Sequence, residues 1–181
     1  MSTATQTRYR EVQQFRQSWV WALLLASILI ELIVMAIFAY GMVKQLAYGQ
    51  PWGDRPMSDS SLALVGGLVI LQCVVVGVGL PLFFRALKLI TEVNADGLHV
   101  RFYPLTRRTI EFFDIRHCEA RTYNPVLEYG GWGIRWGRKG TAYNVSGDRG
   151  VQLELRNGRR LLIGSQRADE LARAIQAEMQ R

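Results

Sequence analysis

Between Tyr129 and Tyr143 the chain interleaves rings and cations: Tyr129, Trp132, Arg135, Trp136, Arg138, Lys139 and Tyr143. Indoles beside cations suit three tasks. They can seat a surface at lipid headgroups, where each cation contributes about 1 kcal/mol toward anionic lipid. They can stack on single-stranded nucleic acid and neutralise its phosphates. Alternatively, the interspersed glycines give a tight bend while the Trp rings fill a core. A second, isolated candidate is Glu31, the only charge in the apolar run from Ser18 to Tyr40. A carboxyl near the middle of a membrane span costs about 2.5–3.5 kcal/mol on insertion scales, so it must face protein or water. It reads either as a proton- or ion-handling site in an oligomer, or as a protonated carboxyl hydrogen-bonded to a neighbouring helix.

Other chemistry is thin. His99 and His117 are the only histidines, and neither stands at a metal-ligand spacing from Cys, Asp or Glu. No Gly-x-Ser-x-Gly elbow occurs, and Gly137-Arg138-Lys139-Gly140-Thr141 lacks the glycine and Lys-Thr spacing of a phosphate loop. Asn144-Val145-Ser146 matches a glycosylation acceptor by chance. Cys73 and Cys118 fall in different segments, which excludes a disulfide framework and fits a reducing compartment. Neither enzyme activity nor a metal or cofactor is expected.

The elements that must position these residues begin with two apolar runs. A helix rises 1.5 Å per residue, so Ser18–Tyr40 and Leu62–Phe84 each match a hydrocarbon core of roughly 30 Å. Trp19, Trp21 and Tyr40 stand where rings sit at headgroup level. Ala22 and Ala26, and Ala63 and Gly67, place small residues four apart, a spacing that lets helices approach closely. Arg8, Arg10 and Arg16 precede the first run and Arg85 and Lys88 follow the second. The connecting segment holds Lys44 and Arg55, offset by Asp54 and Asp59. That bias predicts cytoplasmic termini. From Arg85 onward 17 Lys and Arg face 11 Asp and Glu, so most of the net charge of +7 lies there.

Beyond Lys88 the pattern becomes one of short alternating stretches. Leu98, Val100 and Phe102 alternate with His99, Arg101 and Tyr103, a half-buried strand. Asn94-Ala95-Asp96-Gly97 is a turn that pairs it with a strand ending near Val93. Further strands are predicted around 109–113, 116–123, 141–146 and 151–155. Arg156-Asn157-Gly158 fits a three-residue hairpin loop with Gly158 left-handed, which puts Glu154 opposite Arg160 and Leu153 opposite Leu161. The chain closes in a helix with Ser165 as N-cap and Ala168, Leu171, Ala172, Ile175 and Met179 on one face.

Gly97-Leu98-x-Val100-x-Phe102-x-Pro104-Leu105, the Tyr129–Arg135 block and the tail from Ala142-Tyr143 to Ile163-Gly164-Ser165-Gln166 resemble bacterial pleckstrin-homology-like (bPH) proteins, with a two-helix anchor as a common companion. The resemblance covers roughly residues 86–181. It implies a seven-stranded, partly open barrel capped by the C-terminal helix, acting as an interaction or assembly module. The eukaryotic lipid-binding pattern clusters Lys and Arg between the first two strands. Here that turn reads Asn94-Ala95-Asp96-Gly97, so the resemblance does not imply specific phosphoinositide binding.

The expected molecule is therefore an α+β membrane protein in three parts. Residues 1–17 form a polar lead-in, residues 18–90 a transmembrane helical hairpin with spans of about 18–40 and 62–84, and residues 91–181 a cytoplasmic PH-like antiparallel β-barrel or sandwich. Its expected role is a self-associating scaffold in the bacterial inner membrane. Trp132, Arg135, Trp136, Arg138 and Lys139 would contact lipid or a membrane protein partner, and nucleic acid is not an expected partner. The alternative is an oligomeric channel or transport component with Glu31 lining an intramembrane site.

Overall fold

A computed structural model describes residues 7–137 and 139–181. The described chain forms two compact units: Arg16–Arg85, and residues 7–15 together with Ala86–Arg181.

The first unit is a pair of helices. α1 (Ser18–Met42) runs on as a wider π-helical turn over Val43–Ala47. α2 (Asp59–Val74) runs through a second such turn, Val75–Gly79, into α3 (Leu80–Ala86). The Ser58 hydroxyl accepts from the Ser61 amide at 3.2 Å and Asp59 sits in the first turn, which fixes the start of α2. Close approach depends on two glycines: a Cβ on Gly41 would strike the Trp52 ring, and one on Gly66 the Met42 sulfur. Gly67, one of the predicted small-residue positions, has open space instead.

Among its described residues the second unit holds nine strands in two sheets. The first sheet, in order β1-β2-β3-β4, is built from Tyr9–Gln14, Lys88–Asn94, Gly97–Tyr103 and Thr106–Ile110. The expected hairpin forms, with Val93 opposite Leu98 and Leu89 opposite Phe102. The second sheet is ordered β5-β8-β9-β7-β6 and uses Ile115–Thr122 (β5), Gly133–Gly137 (β6), Gly140–Asn144 (β7), Arg149–Leu155 (β8) and Arg160–Gly164 (β9). The β8–β9 hairpin forms as the turn chemistry predicts. Gly158 has φ +78°, Leu153 faces Leu161, and Glu154 faces Arg160, with an ion pair at 3.0 Å. α4 (Pro125–Tyr129) lies between β5 and β6, and α5 (Ala168–Met179) closes the chain.

Several expectations are corrected. Nine strands replace seven, the two sheets do not close into a barrel, and β7 runs parallel to β9. The polar lead-in contains a strand: β1 pairs antiparallel with β2 from Tyr9 opposite Val93 to Gln14 opposite Lys88. The connection between the first two strands is thus the entire helical hairpin, and Asn94–Gly97 joins the second and third. β1 is held by polar groups. The buried carboxylate of Glu11 accepts from the Tyr9 hydroxyl at 2.6 Å, the Ser165 hydroxyl at 2.6 Å and the Gln166 amide at 2.9 Å. Gln13 donates to the Gly164 carbonyl at 2.8 Å, and Arg8 pairs with Glu178 at 2.6 Å. Ser165 therefore serves the β1 lock, and α5 starts later, at Ala168. Its face is as predicted through Ile175, but Met179 is only half-buried and Glu178 is buried beside Arg8.

α5 packs on β5 and β8 and touches β1 and β2, so it bridges both sheets. The centre of the second sheet, β8 and β9, is buried on both faces. Leu161 and Ile163 point one way, while Leu162 joins Ala142, Tyr123 and Tyr129 in a cluster on the other.

Candidate interaction surface

The β6–β7 hairpin is positioned from its base. Asn124 caps α4 by accepting from the Val126 and Leu127 amides at 3.1 and 2.9 Å, Pro125 starts the helix, and Gly130 ends it at φ +74°. The chain then turns into β6. There the Gly133 amide donates to the buried Asn144 side chain at 2.9 Å, and Asn144 donates to the Tyr123 hydroxyl at 2.9 Å. At the tip, Gly140 has φ +109°, and a Cβ there would collide with the Arg160 carbonyl. Only glycine lets β7 approach β9 this closely.

A charge cluster locks α4 to this hairpin. Glu128 Oε2 accepts from Arg121 at 2.8 Å and from Lys139 at 3.1 Å, while its Oε1 accepts from the Asn124 amide at 2.9 Å. The Arg121 guanidinium, followed by the Asn124 amide and Lys139, holds the Glu128 carboxyl at about 2, far below its ordinary range. Arg121 also donates to Gln152 at 3.0 Å and to the Tyr129 hydroxyl at 3.3 Å.

The predicted contact residues separate into different roles. The Trp132 indole is half-buried and donates to the Gly147 carbonyl at 3.1 Å. Arg135 is exposed and donates back to the Trp132 carbonyl at 2.9 Å. Lys139 is tied to Glu128. Trp136 is 80% exposed, so its ring fills no core. Arg138 lies outside the described residues. Glu31 is not brought to this surface. It sits half-buried in the helical unit, its Oε2 makes no hydrogen bond among the described residues, and its backbone carbonyl accepts from the Cys73 thiol at 3.8 Å.

Residues that sequence reasoning did not single out complete the surface. Trp136 and Lys139 form one wall of a groove of about 670 Å³, whose other members include Arg108 of β4 and Arg159 and Arg160 of the β8–β9 hairpin. Lys139 and Arg160 are each held by a carboxylate, at 3.1 and 3.0 Å. The side chains of Arg108 and Arg159 make no ion pair among the described residues. The chain carries these cations across more than fifty positions, so only the doublets Arg107-Arg108 and Arg159-Arg160 could have hinted at the groove.

On the outer face of the first sheet, His99 bridges Asp96 at 3.2 Å and the Thr109 hydroxyl at 3.0 Å, which joins the β2–β3 turn to β4. Among the described residues no group of three His, Cys, Asp or Glu side chains could hold a metal ion.

Over residues 2–180 the chain matches a family described as a family of unknown function (DUF6141). No curated protein and no solved structure matches it.

Proposed function

We infer that this chain, which belongs to the family of unknown function (DUF6141), is a membrane-anchored scaffold that binds rather than catalyses. The observation that carries this reading is the surface of the helical unit. Its two helices, of 30 and 28 residues, have only 6% and 11% of their most apolar stretches buried. In water that surface would far exceed the few hundred Å² of contiguous apolar area that monomeric proteins expose. In a bilayer it is the solvated face, and a helix bonds its backbone groups within itself.

The β1–β2 pairing supports two crossings. The chain leaves β1 after Gln14 and re-enters the same sheet at Lys88, its register partner, so an even number of crossings fits between them. The Lys and Arg bias then favours the cytoplasmic side of a bacterial inner membrane. The pleckstrin-homology-like reading draws support from the four-stranded sheet, the β5-β8-β9 set and the closing helix α5. On that reading, α4-β6-β7 is an insertion that presents Trp136 to lipid or to a membrane protein partner.

Self-association is supported by Gly67, which faces open space. A helix of a second copy would pack closely against this small residue. Native mass measurement in mild detergent tests this: a defined oligomer that survives Glu31→Gln is expected. A monomer at all concentrations would sink the assembly reading. Ion flux through liposomes that changes with Glu31→Gln would replace it with the channel alternative.

A further inference from the structure

The two sheets leave a seam where the edge strand β4 lies open, and the charge in that seam is unbalanced. Arg108 sits opposite Val100 in the β3–β4 register, and Val100 is buried, so Arg108 occupies a position on the inner side of the first sheet where the pattern would place an apolar residue. Its half-buried guanidinium opens into the groove beside Arg159, Arg160 and Lys139, above Leu155 and Leu161. Four cations meet there, and two carboxylates, Glu128 and Glu154, answer Lys139 and Arg160. Arg108 and Arg159 remain uncompensated among the described residues, a surplus of two positive charges in a partly enclosed space.

The geometry points to an anion site in this groove, one that takes a phosphomonoester group. Two free guanidiniums match its charge, which for a phosphate monoester is about −1.5 to −2 at pH 7, and their planar forks suit phosphate oxygens. A groove of about 670 Å³ is far larger than the phosphate alone. The apolar floor of Leu155 and Leu161 and the exposed Trp136 ring accept an organic body attached to the phosphate. This site differs from a basic cluster between the first two strands, because its cations come from β4, the β6–β7 turn and the β8–β9 hairpin. The inference deepens the contact-surface reading and rests on it for the wall formed by Trp136 and Lys139.

The phosphomonoester has two possible sources, a phosphatidic acid headgroup or a soluble ester such as glycerol 3-phosphate. Full-length protein in neutral maltoside micelles is titrated with glycerol 3-phosphate. In a second arm, the micelles are doped with phosphatidic acid or, as a control, phosphatidylcholine. Trp136 emission is the readout, identified by its loss in Trp136→Phe. Saturable binding is expected in at least one arm, weakened at least tenfold by Arg108→Gln with Arg159→Gln and at most twofold by Arg101→Gln with Arg107→Gln, which removes the same charge from exposed positions on β3 and β4. Continued protection of Cys118 from alkylation verifies folding of each variant. A response to glycerol 3-phosphate identifies a soluble ligand, and a response to phosphatidic acid alone identifies the headgroup. Silence in both arms, or equal weakening by the two double variants, overturns the site. The scaffold would then stand or fall separately, on the native mass.

Discussion

Replacing Glu11 with alanine should open the strand-bearing unit at the point where its N-terminal strand is tied to the opposite end of the chain. The buried carboxylate accepts three hydrogen bonds, from the Tyr9 and Ser165 hydroxyls and the Gln166 amide. Hydrogen bonds to a charged acceptor contribute about 1.5–3 kcal/mol each. The two hydroxyls lie 3.1 Å apart and can bond each other after truncation, so about two of the three contacts are lost outright. The expected cost is about 3–6 kcal/mol, a large share of the 5–15 kcal/mol that stabilises a typical domain. Cys118 reports it. Its thiol is buried beneath α5, 4.0 Å from the Ala172 carbonyl, and burial pushes its pKa up to about 12, so alkylation requires opening. In full-length protein carrying Cys73→Ser, Glu11→Ala should raise the Cys118 alkylation rate at pH 8 by about a hundredfold or more, since each 1.4 kcal/mol is tenfold. Glu11→Gln should fall between the two, and Val12→Ser, at an exposed neighbour, should change little. A Glu11→Ala rate within threefold of the parent would refute the claim that β1 is integral to this unit.

The acid response of the β6–β7 hairpin follows from Glu128. Its folded pKa of about 2 lies below the ordinary 4.5, so its stabilisation is fully present above pH 4.5 and is lost as pH falls through about 2. The amount is on the order of 3 kcal/mol. The protection factors of the β6 amides, referred to the intrinsic exchange rate at each pH, should fall across that window, and Arg121→Gln should flatten the response; an unchanged profile in that variant would contradict it. Gly140→Ala combines a left-handed φ of +109° with a clash against the Arg160 carbonyl. A loss of about 2–4 kcal/mol, read as a lower urea midpoint, is expected, whereas Gly158→Asn, at φ +78° in open space, should cost under about 1 kcal/mol.

How legible the fold was depended on whether a pattern was local. The β8–β9 hairpin could be read because alternation and a left-handed glycine agree within ten residues. The apolar runs announce themselves by length. β1 did not, because its inward positions are Tyr9, Glu11 and Gln13. The Tyr9 hydroxyl, the Glu11 carboxylate and the Gln13 amide nitrogen find their partners in Ser165, Gln166 and Gly164, some 150 residues away. α4 spans five residues, too few to show a helical period, and β6 is a half-exposed edge strand rich in glycine. The parallel β7–β9 pairing and the burial of Leu162 depend on the α4–β6 excursion covering the second sheet, which no local spacing encodes. The same holds for the surface chemistry: Trp136 and Lys139 stood out as a cluster, whereas Arg108 and Arg159 become neighbours only in the folded chain.

Topological labelling tests the account most directly. Single cysteines are introduced at Gln50, between the two long helices, and at Asp148, in the loop before β8, in a chain carrying Cys73→Ser and Cys118→Ser. Spheroplasts expressing each are treated with a membrane-impermeant maleimide. The account predicts that Gln50→Cys labels in intact spheroplasts and that Asp148→Cys labels only after permeabilisation. Equal labelling of both before permeabilisation, or recovery of the chain in the soluble fraction, would contradict it.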